Sequence, residues 1–277
     1  MVIDCRSIAK AWEEAAADTV RQNNLRPHLA IITTDEADNA SQIYMRNKRK
    51  AIERIGGAFT SYSFSAANAE TADIIETIVA LNDDPSIHGI IIQLPLPDKF
   101  DAHVLQNAIA PEKDVDGFGN NTLFCPATPV GVINLLKEQQ YNIDGSHCVV
   151  IGRSKIVGAP LAAMLLRENA TVSQCHSHTT SDQLAVLCRN ADYIFCAAGV
   201  PNLVKPEYLT PGRTVAIDIS INRREDGKLC GDLDPACYPL LKDYTPVPGG
   251  IGPITVATLI DHLVYAALDQ RKNNNER

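Results

Sequence analysis

The sequence predicts two α/β domains, and three observations carry that expectation. Strand-like and helix-like segments alternate from one end of the 277 residues to the other, a length that suits two domains better than one. A stretch rich in Pro, Gly, Asn and Asp, residues 111–129, interrupts the alternation and reads as a loop or domain boundary. Beyond it, Ser146–Ile151 starts a fresh strand–turn–helix.

In order, Lys10–Asn23 has helical composition and Pro27–Thr33 is a short β-rich run. Asn39–Ile55 is helical and ends at Gly56-Gly57, a C-cap. Phe59–Phe64 alternates as a strand does, Ala69–Leu81 is helical, and His88–Ile92 is the continuous apolar run of a buried parallel strand. Pro129–Glu138 is helical. Ser146–Ile151, Thr171–Cys175, Tyr193–Ala197 and Thr214–Ile219 are strands, with a helix from about Ala159. Pro246–Pro253 is a Gly/Pro loop, Thr255–Asp269 a helix, and Arg271–Arg277 a polar, frayed tail. Neither an internal repeat nor a low-complexity tract interrupts this order.

Composition excludes several classes. Apolar residues make up 45% and charged residues 21%, which is ordinary for a globular chain and rules out disordered, collagen-like and coiled-coil readings. At this size about three quarters of the unfolded chain's surface is buried on folding, so no disulfide or metal staple is needed. The net charge is -8, and the longest basic run, Lys48-Arg49-Lys50, reads as a solvated helix face, so no nucleic-acid partner is expected. No apolar run approaches a membrane span and no basic-then-apolar start signals secretion, so neither a membrane nor export is expected. The eight cysteines contain no Cys-x-x-Cys pair, and Cys148 and Cys196 sit in apolar runs. Buried free thiols, no metal site and a reducing, cytoplasmic setting are therefore expected.

Two constellations carry chemistry. Cys148-Val149-Val150-Ile151-Gly152 is a buried strand entering a glycine turn, followed by Arg153-Ser154-Lys155-Ile156-Val157-Gly158. Gly152 permits a tight turn and Gly158 close helix–strand contact, leaving helix N-terminal amides for a pyrophosphate. The Gly-x5-Gly spacing is not the Gly-x-Gly-x-x-Gly fingerprint, and an ordinary βα turn looks the same. At the end of the next strand, Gln174-Cys175-His176-Ser177-His178 has no carboxylate for a ribose 2′-hydroxyl, whereas Arg153 and Ser177 suit a 2′-phosphate. The local chemistry favours NADP over NAD. His176 borders that cofactor or is a surface loop histidine; no other histidine receives a role.

In the first half, Ser41, Tyr44 and Lys48 fall within about 60° of one another on one helix face. A Tyr-x-x-x-Lys pair marks short-chain dehydrogenases, but there it follows the glycine turn; here it precedes Gly152, so that reading fails on order. By spacing alone the pair suits a solvated face. Gln93-Leu94-Pro95-Leu96-Pro97 closes a buried strand, where ligands of open α/β sheets sit, and Lys113-Asp114-Val115-Asp116-Gly117-Phe118 places two carboxylates in the boundary loop. A Lys, a Gln and an Asp converging on a cleft between domains would suit a nitrogen-rich heterocycle.

Taken together, these segments resemble the bifunctional methylenetetrahydrofolate dehydrogenase/methenyltetrahydrofolate cyclohydrolase family. The matching residues are Ala40-Ser41, Tyr44, Lys48 and Lys50; Gln93–Pro97; Lys113–Phe118; Gly152–Ser154, Ile156–Gly158 and Pro160; Cys175–Ser177; and Thr245–Pro253. They stand in family order over most of the chain. The resemblance implies a folate-binding catalytic domain, residues 1–120 plus the C-terminal helix 254–277, and a Rossmann-type NADP-binding domain, residues 121–253, with a cleft between them. It implies a homodimer acting on tetrahydrofolate derivatives. Methylenetetrahydrofolate would be oxidised by hydride transfer to NADP, and water would convert the methenyl product to 10-formyltetrahydrofolate. Carried over, Lys48 is the acid/base group and Gln93 hydrogen-bonds it. Burial beside a cation disfavours an ammonium, as a base at neutral pH requires. Tyr44 would pack on the folate and Asp116 grip the pterin's N–H donors, with Ser41, Leu94, Gly250 and Pro253 also against the substrate. Gly152, Arg153, Ser154, Val157, Gly158, Ser177, Ala198, Gly199 and Ile221 would hold the cofactor.

The chain departs from the family at Thr33-Thr34 (often Val-Gly), Ala127 (Cys), Ser220 (Gly), Ile254 (Met) and His262-Leu263 (Asn-Thr). Ser220, near the expected nicotinamide, is expected to be tolerated. The rival readings are a member with one of the two activities, a non-catalytic folate or NADP sensor, and an unrelated Rossmann dehydrogenase.

Overall fold

The structure is a computed structural model describing residues 1–35, 39–224 and 226–275; the side chains of 39–41 and 273–275 lie outside it. The chain folds into two compact units. One comprises Lys10–Ala127 and Val256–Arg277, the other Met1–Ala9 and Thr128–Thr255.

The first unit is built on a parallel sheet of three strands in the order β2-β1-β3, with β1 at His28–Thr34, β2 at Ala58–Phe64 and β3 at Gly89–Ile92. Strand alternation divides the core between the two faces. Leu29, Ile31 and Ile91 face α1 (Cys5–Gln22), α2 (Asn39–Arg54) and α8 (Ile251–Asn275), while Ala30, Ile32, Ile90 and Ile92 face α3 (Thr71–Asp83) and α4 (Ala102–Ala108). Helix α2 stops as expected, with Gly56 at φ +84° and Gly57 N donating to Ile52 O at 2.9 Å.

The second unit continues through α5 (Ala127–Glu138), β4 (His147–Ile151), α6 (Gly158–Arg167), β5 (Thr171–Cys175), α7 (Ser181–Asn190), β6 (Tyr193–Cys196) and β7 (Val215–Asp218). A small antiparallel pair, β8 (Asn222–Arg223) and β9 (Leu229–Cys230), follows, and then β10 (Asp243–Tyr244). Five parallel strands lie in the order β10-β7-β6-β4-β5. Progression reverses at β4, so the crevice at the carboxyl ends of β4 and β6 is the topological switch point where doubly wound sheets bind ligands.

Several boundaries differ from the sequence expectation, each for a physical reason. Residues 1–9 pack on the five-stranded unit, and the cuts fall at 127/128 and 255/256 rather than at 120 and 253. Extended residues at the start add to the free edge of β10: Val2 bridges Tyr244, Ile3 N donates to Tyr244 O at 2.8 Å and Tyr244 N to Met1 O at 2.9 Å. Helix α1 starts at Cys5, ahead of Lys10, because Asp4 caps it, accepting from Ser7 N at 3.2 Å and Ser7 Oγ at 2.7 Å. Helices α5 and α8 reach back over Pro129 and Pro253, which stand in their first turns, where proline's missing N–H costs nothing. The tail is helical through Asn275, with Arg271 donating to Asn23 O and Gln270 to His88 O. Helix α8 is also long and apolar enough to cross a membrane, although Asp261-His262 breaks any continuous apolar run. It is a core helix, burying Leu259, Ile260, Leu263 and Val264. All described cysteines are free and all but Cys125 are buried; burial pushes the Cys148 and Cys188 thiols up to about 12.

Lys113 anchors the loop that follows α4. Its buried ammonium donates to Leu81 O at 3.0 Å, Asn82 O at 2.7 Å and Asp84 O at 2.7 Å, closing the carbonyl end of α3. Replacing it with methionine strands those acceptors. Lys113→Met is expected to lose at least ~1–3 kcal/mol in urea unfolding, with the denaturant slope unchanged.

Candidate active site

In the three-stranded unit, Tyr44 and Lys48 are one turn apart on α2, and Asp116 comes from the loop after α4. Lys48 is buried; its Nζ lies 3.8 Å from Asp116 Oδ2 and 5.3 Å from the centre of the Tyr44 ring. An ammonium taken out of water needs such partners, a carboxylate on one side and a ring face on the other. Asp116 is presented by its neighbours. Asp114 Oδ2 accepts from Gly119 N at 2.7 Å and Oδ1 from Gly117 N at 3.2 Å, and Ile90 N of β3 donates to Lys113 O at 2.7 Å. Burial pushes the Asp114 carboxyl up.

Gln93 sits buried just past β3, but it does not hydrogen-bond Lys48 as the resemblance implies. Its Nε2 donates to Leu94 O at 2.8 Å, which fixes the amide's orientation and leaves Oε1 without a partner. Thr34 Oγ1, at the end of the neighbouring β1, is the other unpartnered buried side-chain atom among the described residues. Leu94 is half-buried against the α3 face of the core, and the Leu94–Pro95 peptide bond is cis. Ser41 is in the first turn of α2, with its side chain outside the described residues.

His262, given no role by the sequence, backs this loop from α8. Its Nδ1 lies 2.9 Å from Val115 O, an acceptor only, so Nδ1 carries the proton; the Phe124 ring lies against it, tilted by 32°, with centroids 4.9 Å apart. Burial pulls its pKa below the ordinary 6.5, against the opposing effects of the Val115 bond and Asp261, Asp116 and Asp114. Only the unfolded chain then takes up the proton readily as pH falls below 6.5, so the contribution to stability present above that pH is lost on acidification. His262→Asn keeps a donor for Val115 O without the titration. Melting temperatures at about pH 7.5 and pH 5 are expected to differ less in the variant than in the parent.

In the five-stranded unit, the glycine turn lies at the switch point. Gly152 has φ +127°, and a Cβ there would sit 2.1 Å from Ala197 O; a Cβ on Gly158 would sit 2.3 Å from Gly152 O. No larger residue fits either place. Gln174 Nε2 donates to Gly152 O at 3.1 Å. The α6 amides are not all left open: Ser154 Oγ accepts from Val157 N at 3.2 Å and Gly158 N at 3.3 Å. Arg153 and Ser177 are both exposed, beyond the paired ends of β4 and β5, and no carboxylate ends β5. These residues fit a dinucleotide with a 2′-phosphate: a turn whose two glycines admit no Cβ, a cation, a hydroxyl and no opposing acid.

After β6, Ala198, Gly199 and Val200 are exposed and their amides turn inward to the buried Asp232. Ile221 is exposed beyond β7. Asp218, at the end of β7, is pushed up to about 7 by burial and by the charge of Asp232. Its carboxylate accepts from Leu233 N at 2.9 Å, and Gly231 passes so close that a Cβ would lie 1.9 Å from Oδ2. The sequence carried no signal for Asp232, whose role depends on a return of chain from fourteen residues after β7. Gly250 is buried in the loop before α8, Pro253 is in that helix's first turn, and Val247–Pro248 is cis.

Fold and site thus define a two-unit α/β protein: a dinucleotide-binding unit, and a second unit with a buried Lys–Asp pair against a half-buried Tyr. Residues 126–271 match the family model for the NAD(P)-binding domain of tetrahydrofolate dehydrogenase/cyclohydrolase, and residues 3–116 match that for its catalytic domain. The chain belongs to the tetrahydrofolate dehydrogenase/cyclohydrolase family. It is 40% identical over 288 residues to the bifunctional protein FolD of Methanoculleus marisnigri, covering 99% of each. Among solved structures, it is similar to the bifunctional methylenetetrahydrofolate dehydrogenase/cyclohydrolase FolD of Campylobacter jejuni, with a TM-score of 0.92, 36% identity and coverage of 97% of this chain and 99% of that one. The Trypanosoma brucei enzyme, complexed with NADP and an inhibitor, gives a TM-score of 0.91 at 32% identity, covering 98% of each chain.

Proposed function

We propose that this chain oxidises 5,10-methylenetetrahydrofolate with NADP and hydrolyses the 5,10-methenyl product to 10-formyltetrahydrofolate, with Lys48 as the acid/base group. The carrying observation is the buried Lys48, 3.8 Å from Asp116 and beneath Tyr44, in the unit that matches the family's catalytic domain. The three-stranded unit takes the folate and the five-stranded unit the dinucleotide.

Bound NADP supplies the acceptor for the hydride that leaves the methylene carbon. The chain's own part in that step is to hold the rings, the glycine cradle fixing one partner and Tyr44 with Asp116 the other. Hydrolysis is proton handling. Water adds to the methenyl carbon and loses one proton to give a carbinol; as the bond from that carbon to N5 breaks, the hydroxyl loses its proton to become the formyl oxygen and N5 gains one, so a single proton is released overall. Lys48, within reach of a folate stacked on Tyr44, moves that proton, and Asp116 receives the pterin's N–H donors. Gln93 Oε1, an unpartnered buried acceptor, is available to a donor from substrate or from Lys48. We also infer a cytoplasmic homodimer, as the family resemblance implies; light scattering after size exclusion checks the dimer.

The test follows NADPH and methenyltetrahydrofolate absorbance together, with NADP or NAD in parallel. NADPH formation without matching methenyl accumulation is expected. Lys48→Met should cut hydrolysis by roughly 10²–10⁴-fold, the usual worth of a general acid/base. Asp116→Asn should raise the folate KM about tenfold or more through loss of a charged acceptor. No turnover with either nucleotide, despite measurable folate binding, would overturn the reading.

A further inference from the structure

One buried carboxylate holds the cofactor side of the switch point from beneath. Asp232 is fully buried, and its carboxylate accepts five hydrogen bonds. Three come from consecutive amides: Ala198 N at 2.8 Å and Gly199 N at 3.2 Å to Oδ2, and Val200 N at 2.8 Å to Oδ1. The others come from Ser220 Oγ, 2.8 Å from Oδ2, and Asn222 Nδ2, 2.9 Å from Oδ1. Successive amides converging on one point form an anion nest, and here the protein's own anion fills it. Ser220 doubles the attachment, because its hydroxyl also accepts from Gly199 N at 3.1 Å. Carboxylate and hydroxyl together tie the segment leaving β6 to the segment leaving β7.

The location gives this tie a consequence. Ala197 O touches the glycine turn at Gly152, so the 198–200 segment forms one lip of the switch-point crevice. Its exposed side is Ala198, Gly199 and Val200, and beside Ser220 stands the exposed Ile221. A flexible glycine segment with its amides facing solvent would sample many conformations. With its amides drawn inward it presents one apolar surface, and ordering before binding lowers the cost of binding.

We propose that Ser220 and Asp232 are positioning residues for the dinucleotide, a clamp that fixes Ala198–Val200 and Ile221 as one wall of its site, with the Ser220 hydroxyl an active member. A glycine or alanine at 220 supplies no such hydroxyl. The proposal rests on the reading of the five-stranded unit as the NADP-binding unit.

The test compares Ser220→Ala and Ser220→Thr with the parent in three assays: NADP-dependent oxidation, NADP binding by calorimetry, and hydrolysis of added methenyltetrahydrofolate without nucleotide. Ser220→Ala is expected to raise the NADP KM and Kd about tenfold, the scale of one hydrogen bond to a charged group. Its kcat at saturating NADP and its hydrolysis should stay within about twofold of the parent. Ser220→Thr, which keeps the hydroxyl, should restore NADP affinity. An unchanged NADP affinity in Ser220→Ala would overturn the clamp, as would an equal loss of hydrolysis, the mark of a general structural defect. A threonine variant as weak as alanine would likewise remove the hydroxyl's role. If the parent binds NADP but does not reduce it, the functional reading fails while the calorimetric comparison still decides the clamp.

Discussion

The burial of four consecutive residues, Lys113 to Asp116, sets the geometry on which the three-stranded unit's chemistry depends. Three of the four are ionisable, and water-free burial of such groups is sustained only by partners. Lys113 spends its ammonium on three carbonyls at the end of α3, Asp114 spends its carboxylate on the amides of Gly117 and Gly119, and the Val115 carbonyl takes His262. The side chains of Lys113 and Asp114 and the carbonyl of Val115 are thereby committed to scaffold. The remaining carboxylate, Asp116, stands on a rigid base and meets Lys48. The Lys48–Asp116 pair is thus oriented by residues of the same short motif.

The five-stranded unit solves a similar problem with backbone rather than side chains. Where β4 and β6 end, Gly152, Gly158 and Ala197 approach so closely that no Cβ is admitted. That contact brings the first turn of α6 and the segment after β6 to the two sides of one crevice. Beneath it Asp232 gathers three amides, and Asp218 in turn holds the chain that carries Asp232. Two buried acids beside each other are electrostatically costly, and the rise of Asp218 to about 7 reflects that, burial contributing most. The layered arrangement makes the crevice wall stiff, which is what hydride transfer asks of a protein that does no bond-making itself.

Legibility followed the range of the forces involved. Strand and helix identities came from local periodicity, and Tyr44, Lys48 and Asp116 were legible as motif members. The helix starts at Asp4 and before Pro129 and Pro253 were locally encoded too, by capping and by proline's tolerance of a first turn, as was the Thr180–Gln183 capping box that opens α7.

The sequence by itself determined the α/β class, the glycine turn, the absence of an acid at the end of β5 and the family motifs, because each is written in residue types at short spacing. Only the tertiary structure decided that residues 1–9 join the later unit, that Lys113 caps α3, that Gln93 turns its amide to Leu94 rather than Lys48, and that Asp232 sits beneath the switch point. Those outcomes depend on edges, carbonyls and amides brought together from distant parts of the chain. Backbone groups are the same at every position, so no pattern of side chains announces which of them a buried charge will find.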